Sequence, residues 1–65
     1  MLIFINQQPH ELAEGDTLAA AIGLLQPVPP FAVAVNQQFV ANTRYALTAL
    51  QDGDRIDLIA PVTGG

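Results

Sequence analysis

The sequence predicts a small α+β domain in which a mixed sheet of four or five strands packs against one helix. Hydrophobic residues make up 51% of the 65 residues and charged residues 12%, a composition that favours a folded chain over a disordered one. Short runs of branched and aromatic residues, typical of strands, occur near both ends and in the middle. One stretch, 18–25, has apolar residues at helical spacing. We expect residues 1–60 to form one domain and residues 61–65 an extended tail.

The first two predicted strands form a hairpin. Leu2–Ile5 is a branched and aromatic run, and the turn-forming sequence Asn-Gln-Gln-Pro follows it. His10–Ala13 is the predicted return strand, although Glu and Ala are poor strand formers. Residues 14–16, Glu-Gly-Asp, then form a loop that leads to the helix.

A helix is predicted to begin after Thr17 and to end before Pro27. The Thr17 side chain can accept hydrogen bonds from the unpaired amides of the first turn, and Asp16 adds a favourable negative charge there. The apolar face of this helix consists of Leu18, Ala21, Ile22 and Leu25. Prolines at positions 27, 29 and 30 end the helix, because proline lacks the amide that the next turn requires.

Three further strands are predicted after the helix. They are Phe31–Val35, Phe39–Val40 and Arg55–Ala60. Residues 41–50 fit neither the strand nor the helix period throughout, and we predict a loop with a short strand near Tyr45. Asp52-Gly53 indicates a tight turn, because glycine adopts the positive φ that such turns need.

Strand alternation assigns side chains to two faces of the sheet. Those predicted to face the helix are Ile3, Ile5, Val33, Val35, Ile56 and Leu58. Phe4, Ile59 and Pro61 then point the other way. If the first and last strands are parallel neighbours, Phe4 and Ile59 lie near each other, and such adjacent exposed apolar residues suggest a docking site. The alternative is that residues 41–50 fold over them through Tyr45.

The side chains offer little for catalysis. The chain has no cysteine and no lysine, and His10 is its one histidine, so a transition-metal site or a His-activated nucleophile is not predicted. A half-exposed strand or turn position explains His10 better. Asp52, Asp54 and Asp57 lack the later bidentate glutamate of a calcium loop, and the glycines do not form a phosphate-binding loop. We expect a protein that is not itself an enzyme and binds no cofactor or metal.

Charge and hydropathy also limit the partners. The net charge is −4 and the only basic side chains are two arginines, so nucleic acid and anionic membranes are not expected partners. The longest apolar run, Leu18–Leu25, is much shorter than the ~20 residues that cross a bilayer. Residues 1–5 lack the basic flank and cleavage site of a signal peptide. The expected location is therefore cytoplasmic.

The C-terminal carboxylate on Gly64-Gly65 is the remaining reactive group. Residues 61–65 span roughly 17 Å when extended, at ~3.3–3.6 Å per residue, which is enough to enter another protein's cleft. Residues without side chains can pass a narrow channel. The ionised carboxylate can attack the α-phosphate of ATP and becomes an electrophile only after such activation. The alternative is a frayed end of small residues.

Five short motifs occur in order along the chain. They are Asn6 at the end of the first strand, Glu14–Leu18 at the helix start, Ala34–Asn36 at a strand end, Leu50–Ile56 before the last strand, and Gly64-Gly65. Together they resemble the bacterial ThiS family, the small ubiquitin-like sulfur carriers of thiamine biosynthesis. This resemblance implies a ubiquitin-like β-grasp fold over essentially the whole chain.

The resemblance also implies a cycle at the C-terminus. A ThiF-type adenylating enzyme would use ATP to adenylate Gly65, sulfur would replace AMP to give a thiocarboxylate, and thiazole synthase would take the sulfur. We expect Thr63 and Gly64 to thread into the partner's channel. The other residues expected to contact a partner are Phe4, Ile59, Pro61 and Val62.

Three alternatives stay open. The ending Ala-Pro-Val-Thr-Gly-Gly is also similar to the small subunit of molybdopterin synthase, a longer family with the same terminal chemistry. A β-grasp interaction module without covalent chemistry is a second possibility, and it would tolerate extension past Gly65. A third is a protein that is joined through Gly65 to a lysine of a target, as ubiquitin is.

Overall fold

Five strands, one α-helix and one 3₁₀ helix make up residues 1–60, the part of the chain that the computed structural model describes. The strands are β1 (Leu2–Ile5), β2 (Gln8–Glu11), β3 (Ala32–Val35), β4 (Gln38–Val40) and β5 (Arg55–Ile59). Helix α1 (Leu18–Leu25) lies between β2 and β3, and the 3₁₀ helix (Asn42–Leu47) lies between β4 and β5. The predicted α+β class is confirmed.

The strands form one mixed sheet in the order β2-β1-β5-β3-β4. β1 and β5 are parallel, with Phe4 opposite Arg55 and Ile5 opposite Ile56, whereas the other neighbours are antiparallel. The predicted parallel pairing of the first and last strands is confirmed. Because β5 is the central strand, the chain runs toward its C-terminus from the middle of the sheet.

Helix α1 covers one face of the sheet, and the core lies between them. The buried cluster consists of Ile3, Ile5, Leu18, Ala21, Val33, Leu50 and Ile56. Val35 and Leu58 are partly buried and pack against this cluster. The predicted inward faces of β1, β3 and β5 are therefore correct.

The last turn of α1 differs from the prediction. Leu25 was predicted to face the core, but it is 40% exposed, and Leu24 beside it is also exposed. Gln26 ends the helix in the left-handed conformation, with φ 47°. Apolar spacing identifies the inner face of a helix but not how far the sheet extends beneath it, so the prediction assigned one residue too many to the core.

The start of α1 is also held differently from the prediction. Among the described residues, the Thr17 side chain makes no capping hydrogen bond. The Leu18 amide instead donates to the Thr48 carbonyl at 2.8 Å, and the Asp16 carboxylate accepts from the Ala13 amide at 3.1 Å. A backbone contact from a distant loop thus replaces the local cap, and local sequence does not reveal such a contact.

Strand β2 begins earlier than predicted, at Gln8 rather than His10, and ends at Glu11. The turn before it has two residues, Asn6 and Gln7, both with positive φ (49° and 70°), as in a type I′ hairpin turn. Pro9 was assigned to the turn, yet it lies within β2. An edge strand tolerates proline, because one side of that strand needs no amide donor.

The second hairpin repeats this turn. Asn36 and Gln37 connect β3 to β4 with φ values of 50° and 70°, so β4 begins at Gln38, one residue earlier than predicted. Asparagine adopts this left-handed conformation more readily than most residues. A glutamine there is strained, because its Cβ lies close to the following carbonyl.

We expect Gln37→Gly to stabilise the protein. Left-handed backbone destabilises an L-residue by about 1–2 kcal/mol, and the greater freedom of glycine in the unfolded chain offsets only part of this. The net gain in the free energy of unfolding should be about 0.5 kcal/mol, measured by urea denaturation. Gln38→Gly, one position later in β4, is the matched control and should be destabilising. A loss of stability in Gln37→Gly would contradict the expectation.

The segment 41–50 was predicted as a loop with a short strand near Tyr45, and this is wrong. It contains the 3₁₀ helix, in which the Arg44 amide donates to the Ala41 carbonyl at 2.8 Å. The Tyr45 ring stacks on Phe31, with centroids 6.4 Å apart and planes at 14°, and packs against the core. Tyr45 therefore lies on the α1 side of the sheet and does not cover Phe4.

Candidate functional site

The candidate site has two parts, of which the structure describes one. The predicted tail residues Pro61, Val62, Thr63, Gly64 and Gly65 lie outside the described residues, so their roles stay predictions. Phe4 and Ile59 lie within the described part, on the sheet face opposite α1. β5 contributes residues to this face, and the tail follows β5 in the sequence.

Strand register defines this face, which we call the open face. Ala32 lies opposite Ile59, and Ala34 lies opposite both Asp57 and Phe39. The open-face side chains of β1, β3, β4 and β5 are Leu2, Phe4, Ala32, Ala34, Phe39, Arg55, Asp57 and Ile59. Ile59 is 48% exposed and Phe39 75% exposed, whereas Phe4 is partly buried. The outward orientation predicted for Phe4 and Ile59 is therefore correct.

The predicted closeness of Phe4 and Ile59 is wrong. Phe4 is opposite Arg55, four residues before Ile59 on β5, which separates the two positions by about 13 Å along the strand at ~3.3 Å per residue. The chain turns away from β5 at Asn6, so β1 ends before it reaches Ile59. Alternation gives the face of a residue but not its register against the neighbouring strand.

Phe4 has a charged neighbour instead of an apolar one. The guanidinium carbon of Arg55 lies 6.0 Å from the centroid of the Phe4 ring, the distance of a cation–π contact. Asp57 is exposed two residues further along the same face. Phe4, Arg55 and Asp57 all line a shallow depression on the open face. This surface therefore combines an aromatic ring with both signs of charge.

Asp54 and Asp57 lie close together in the sequence but have different surroundings. The Asp54 carboxylate accepts hydrogen bonds from the Gln51 amide at 2.8 Å and from the Asn36 side chain at 3.0 Å. It thus stabilises the turn before β5. Asp57 is the exposed member on the open face.

Two asparagines that were not predicted as site residues form side-chain hydrogen bonds to the backbone of β5, one on each side of the strand. The Asn6 side chain bonds the backbone of Leu58, and the Asn36 side chain bonds the Arg55 amide. Both asparagines begin a hairpin turn, at positions where the left-handed conformation favours this residue type. The repeated Asn-Gln-Gln sequence was the available signal, but it does not reveal a partner 52 positions away.

Within residues 1–60, no group of three or more His, Cys, Asp or Glu side chains is placed to hold a metal ion. In the same range, no helix combines the length and the apolar character needed to cross a membrane.

A five-stranded mixed sheet with parallel central strands and one helix across it defines a ubiquitin-like β-grasp protein. Comparison with known families narrows this class. The model of the ThiS family matches residues 3–65, and the chain belongs to this family. It is 36% identical over 66 residues to the sulfur carrier protein ThiS of Escherichia coli (strain K12), with all of both chains covered. The predicted family is confirmed.

Solved structures agree with the fold. The crystal structure of the thiamine biosynthesis protein ThiS from Geobacter metallireducens superposes with a TM-score of 0.80 at 20% identity, with all of both chains covered. The solution structure of a thiamine biosynthesis protein from the same organism gives 0.79 at 20% identity, covering this whole chain and 88% of that one. The β-grasp fold predicted from the sequence is confirmed.

Proposed function

We propose that this chain carries sulfur as a thiocarboxylate on Gly65. As a member of the ThiS family, it is a sulfur carrier protein of thiamine biosynthesis. The observation that supports the terminal chemistry is that the family match continues through the final Gly64-Gly65. The chain has no cysteine on which sulfur could be carried instead. The relatives named above are ThiS proteins, so the family match favours thiamine over the molybdenum cofactor as the pathway.

The proposed cycle has two steps at the terminus. A ThiF-type enzyme binds ATP, the Gly65 carboxylate attacks the α-phosphate, and pyrophosphate leaves. A donor at the oxidation level of sulfide then attacks the acyl carbon, and AMP departs with the electron pair of the broken carbon–oxygen bond. The chain itself binds no cofactor in this cycle, and thiazole synthase receives the sulfur. Because the cycle consumes ATP, we place it in the cytoplasm.

The adenylating enzyme is the proposed occupant of a docking patch made of Phe4, Arg55, Asp57 and Ile59. β5 carries three of these residues and the tail follows it in the sequence, which favours this face as the surface that the enzyme contacts. Ile59 offers an exposed apolar contact six residues before Gly65. The net charge of −4 favours a basic surface on the partner and faster encounter at low salt.

Intact-mass measurement of protein purified from its own host tests the terminal chemistry. The carrier fraction should show a mass gain equal to the replacement of one oxygen by sulfur, located on the C-terminal peptide. A modification located elsewhere, or an isopeptide bond from Gly65 to a lysine of another protein, would overturn the proposal in favour of another use of the terminus.

We expect Ile59→Ser to weaken binding to the adenylating enzyme while the melting temperature changes little. The side chain is 48% exposed, so the free protein loses little burial, whereas the complex loses an apolar contact. A loss of about tenfold in affinity, measured by calorimetric titration, corresponds to about 1.4 kcal/mol. Leu47→Ser, at an exposed position in the 3₁₀ helix, is the control. Equal binding by Ile59→Ser and the parent would remove Ile59 from the docking patch.

A further inference from the structure

Strand β5 is paired with β1 over only part of its length. The register places Phe4 opposite Arg55 and Ile5 opposite Ile56, and the chain then turns at Asn6. In a parallel pair that continued, the next residues of β1 would bond the amide and carbonyl of Leu58. β1 ends at Ile5, so these two backbone groups of β5 need another partner on that side.

The Asn6 side chain provides both hydrogen bonds. The Leu58 amide donates to Asn6 Oδ1 at 2.9 Å, and Asn6 Nδ2 donates to the Leu58 carbonyl at 3.3 Å. The Asn6 amide also donates to the Ile56 carbonyl at 2.9 Å. Asn6 thus extends the hydrogen bonding between β1 and β5 by two more residues of β5. Its own backbone, with φ 49°, already belongs to the hairpin turn.

Asn36 forms a similar arrangement at the other end of β5. Its Oδ1 accepts from the Arg55 amide at 3.0 Å, and its own amide donates to the Arg55 carbonyl at 2.7 Å. The turn type is the same, with φ 50°. Asn36 therefore holds the first residue of β5, whereas Asn6 holds Leu58, three residues closer to the C-terminus. The two residues form a matched pair for comparison.

We propose that Asn6 is a positioning residue for the chemistry at Gly65. Its carboxamide holds the backbone of Leu58 in place. Because Ile59 and Ala60 follow Leu58, the carboxamide also sets the direction in which the chain leaves the sheet. On the other side, β3 pairs with the same segment through Val33 and Ala32. Without Asn6, this end of β5 is held from one side, and strand segments with fewer hydrogen bonds open more readily. The proposal rests on the proposed function of Gly65.

The test compares Asn6→Gly with Asn36→Gly. Glycine keeps the positive φ of each turn and removes only the carboxamide. In ATP–pyrophosphate exchange with the adenylating enzyme, Asn6→Gly should lower kcat about tenfold, since a misdirected terminus reaches the reactive geometry less often. KM should change less than kcat, because Phe4, Arg55 and Asp57 of the docking patch keep their positions in Asn6→Gly. Asn36→Gly should leave kcat at the parental value, and amide exchange at Leu58 should accelerate only in Asn6→Gly.

Asn6→Asp is the second variant and covers the case in which Asn6→Gly fails to fold. It keeps an acceptor for the Leu58 amide and removes the donor to the Leu58 carbonyl, so its kcat should lie between those of the parent and the glycine variant. Two results would overturn the proposal for Asn6 while the function of Gly65 stands. One is a parental kcat in a folded Asn6 variant, and the other is an equal loss of kcat in Asn6→Gly and Asn36→Gly. A parent chain that is not adenylated would overturn both.

Discussion

We expect that removal of Gly65, or addition of one residue after it, abolishes ATP-dependent activation of this chain and leaves the fold intact. The proposed activation forms an acyl adenylate on a carboxylate that must enter a narrow channel, and the carboxylate that follows two residues without side chains is that of Gly65. The core lies within residues 3–56, remote in sequence from the change. ATP–pyrophosphate exchange measures activation, and circular dichroism measures the fold.

Gly65→Ala is the control for this result. It keeps the length and the carboxylate but adds a Cβ next to the reacting carbon, so activation should fall without disappearing. The outcome against the carrier hypothesis is adenylation of the extended chain at its new end, without prior processing. A non-covalent interaction module would bind its partner equally well whether the C-terminus is native or extended.

Ile56→Ala should have the largest effect on stability. Ile56 is 2% exposed, belongs to the central strand and contacts the core cluster. Truncation of a buried isoleucine to alanine lowers the free energy of unfolding by about 2–5 kcal/mol, and a domain of this size has a total of only about 5 kcal/mol. Urea denaturation should therefore show a variant that is close to unfolded in the absence of denaturant.

Two residues of the same strand provide the comparison. Leu58→Ala, which alternation alone would rank with Ile56→Ala, should cost less because Leu58 is only partly buried. Ile59→Ala should be near the parent, since Ile59 points to the open face. If Ile59→Ala destabilised as much as Ile56→Ala, the assignment of the two faces would be reversed.

The sequence predicted the elements that depend on local pattern. Period-two alternation gave the correct faces of β1, β3 and β5, and the three prolines within residues 27–30 marked the end of α1. Where tertiary contacts decide, the prediction failed. The 3₁₀ helix contains Tyr45, whose stacking partner Phe31 is distant in sequence, and the position of Leu25 depends on where the sheet ends.

The residues of the candidate site likewise divide into those that the local sequence predicts and those whose positions depend on tertiary contacts. The role of Gly65 was predicted from the terminal Gly-Gly and the family pattern, and it stays a prediction. The separation of Phe4 from Ile59 depends on the β1–β5 register, which alternation leaves undetermined. Asn6 was noted as the end of a strand, but its bonds to Leu58 cross 52 positions. Only the folded structure brings these two residues together.

The central position of β5 has a consequence for biosynthesis. The hairpins β1–β2 and β3–β4 lie on opposite sides of β5 and join one sheet only through it. Because β5 follows both hairpins along the chain, each hairpin can form before β5 has been synthesised, but the two cannot join one sheet until then. Pairing of such distant segments is also the slow step in folding. A partner that requires the folded sheet therefore cannot bind a chain that still lacks β5.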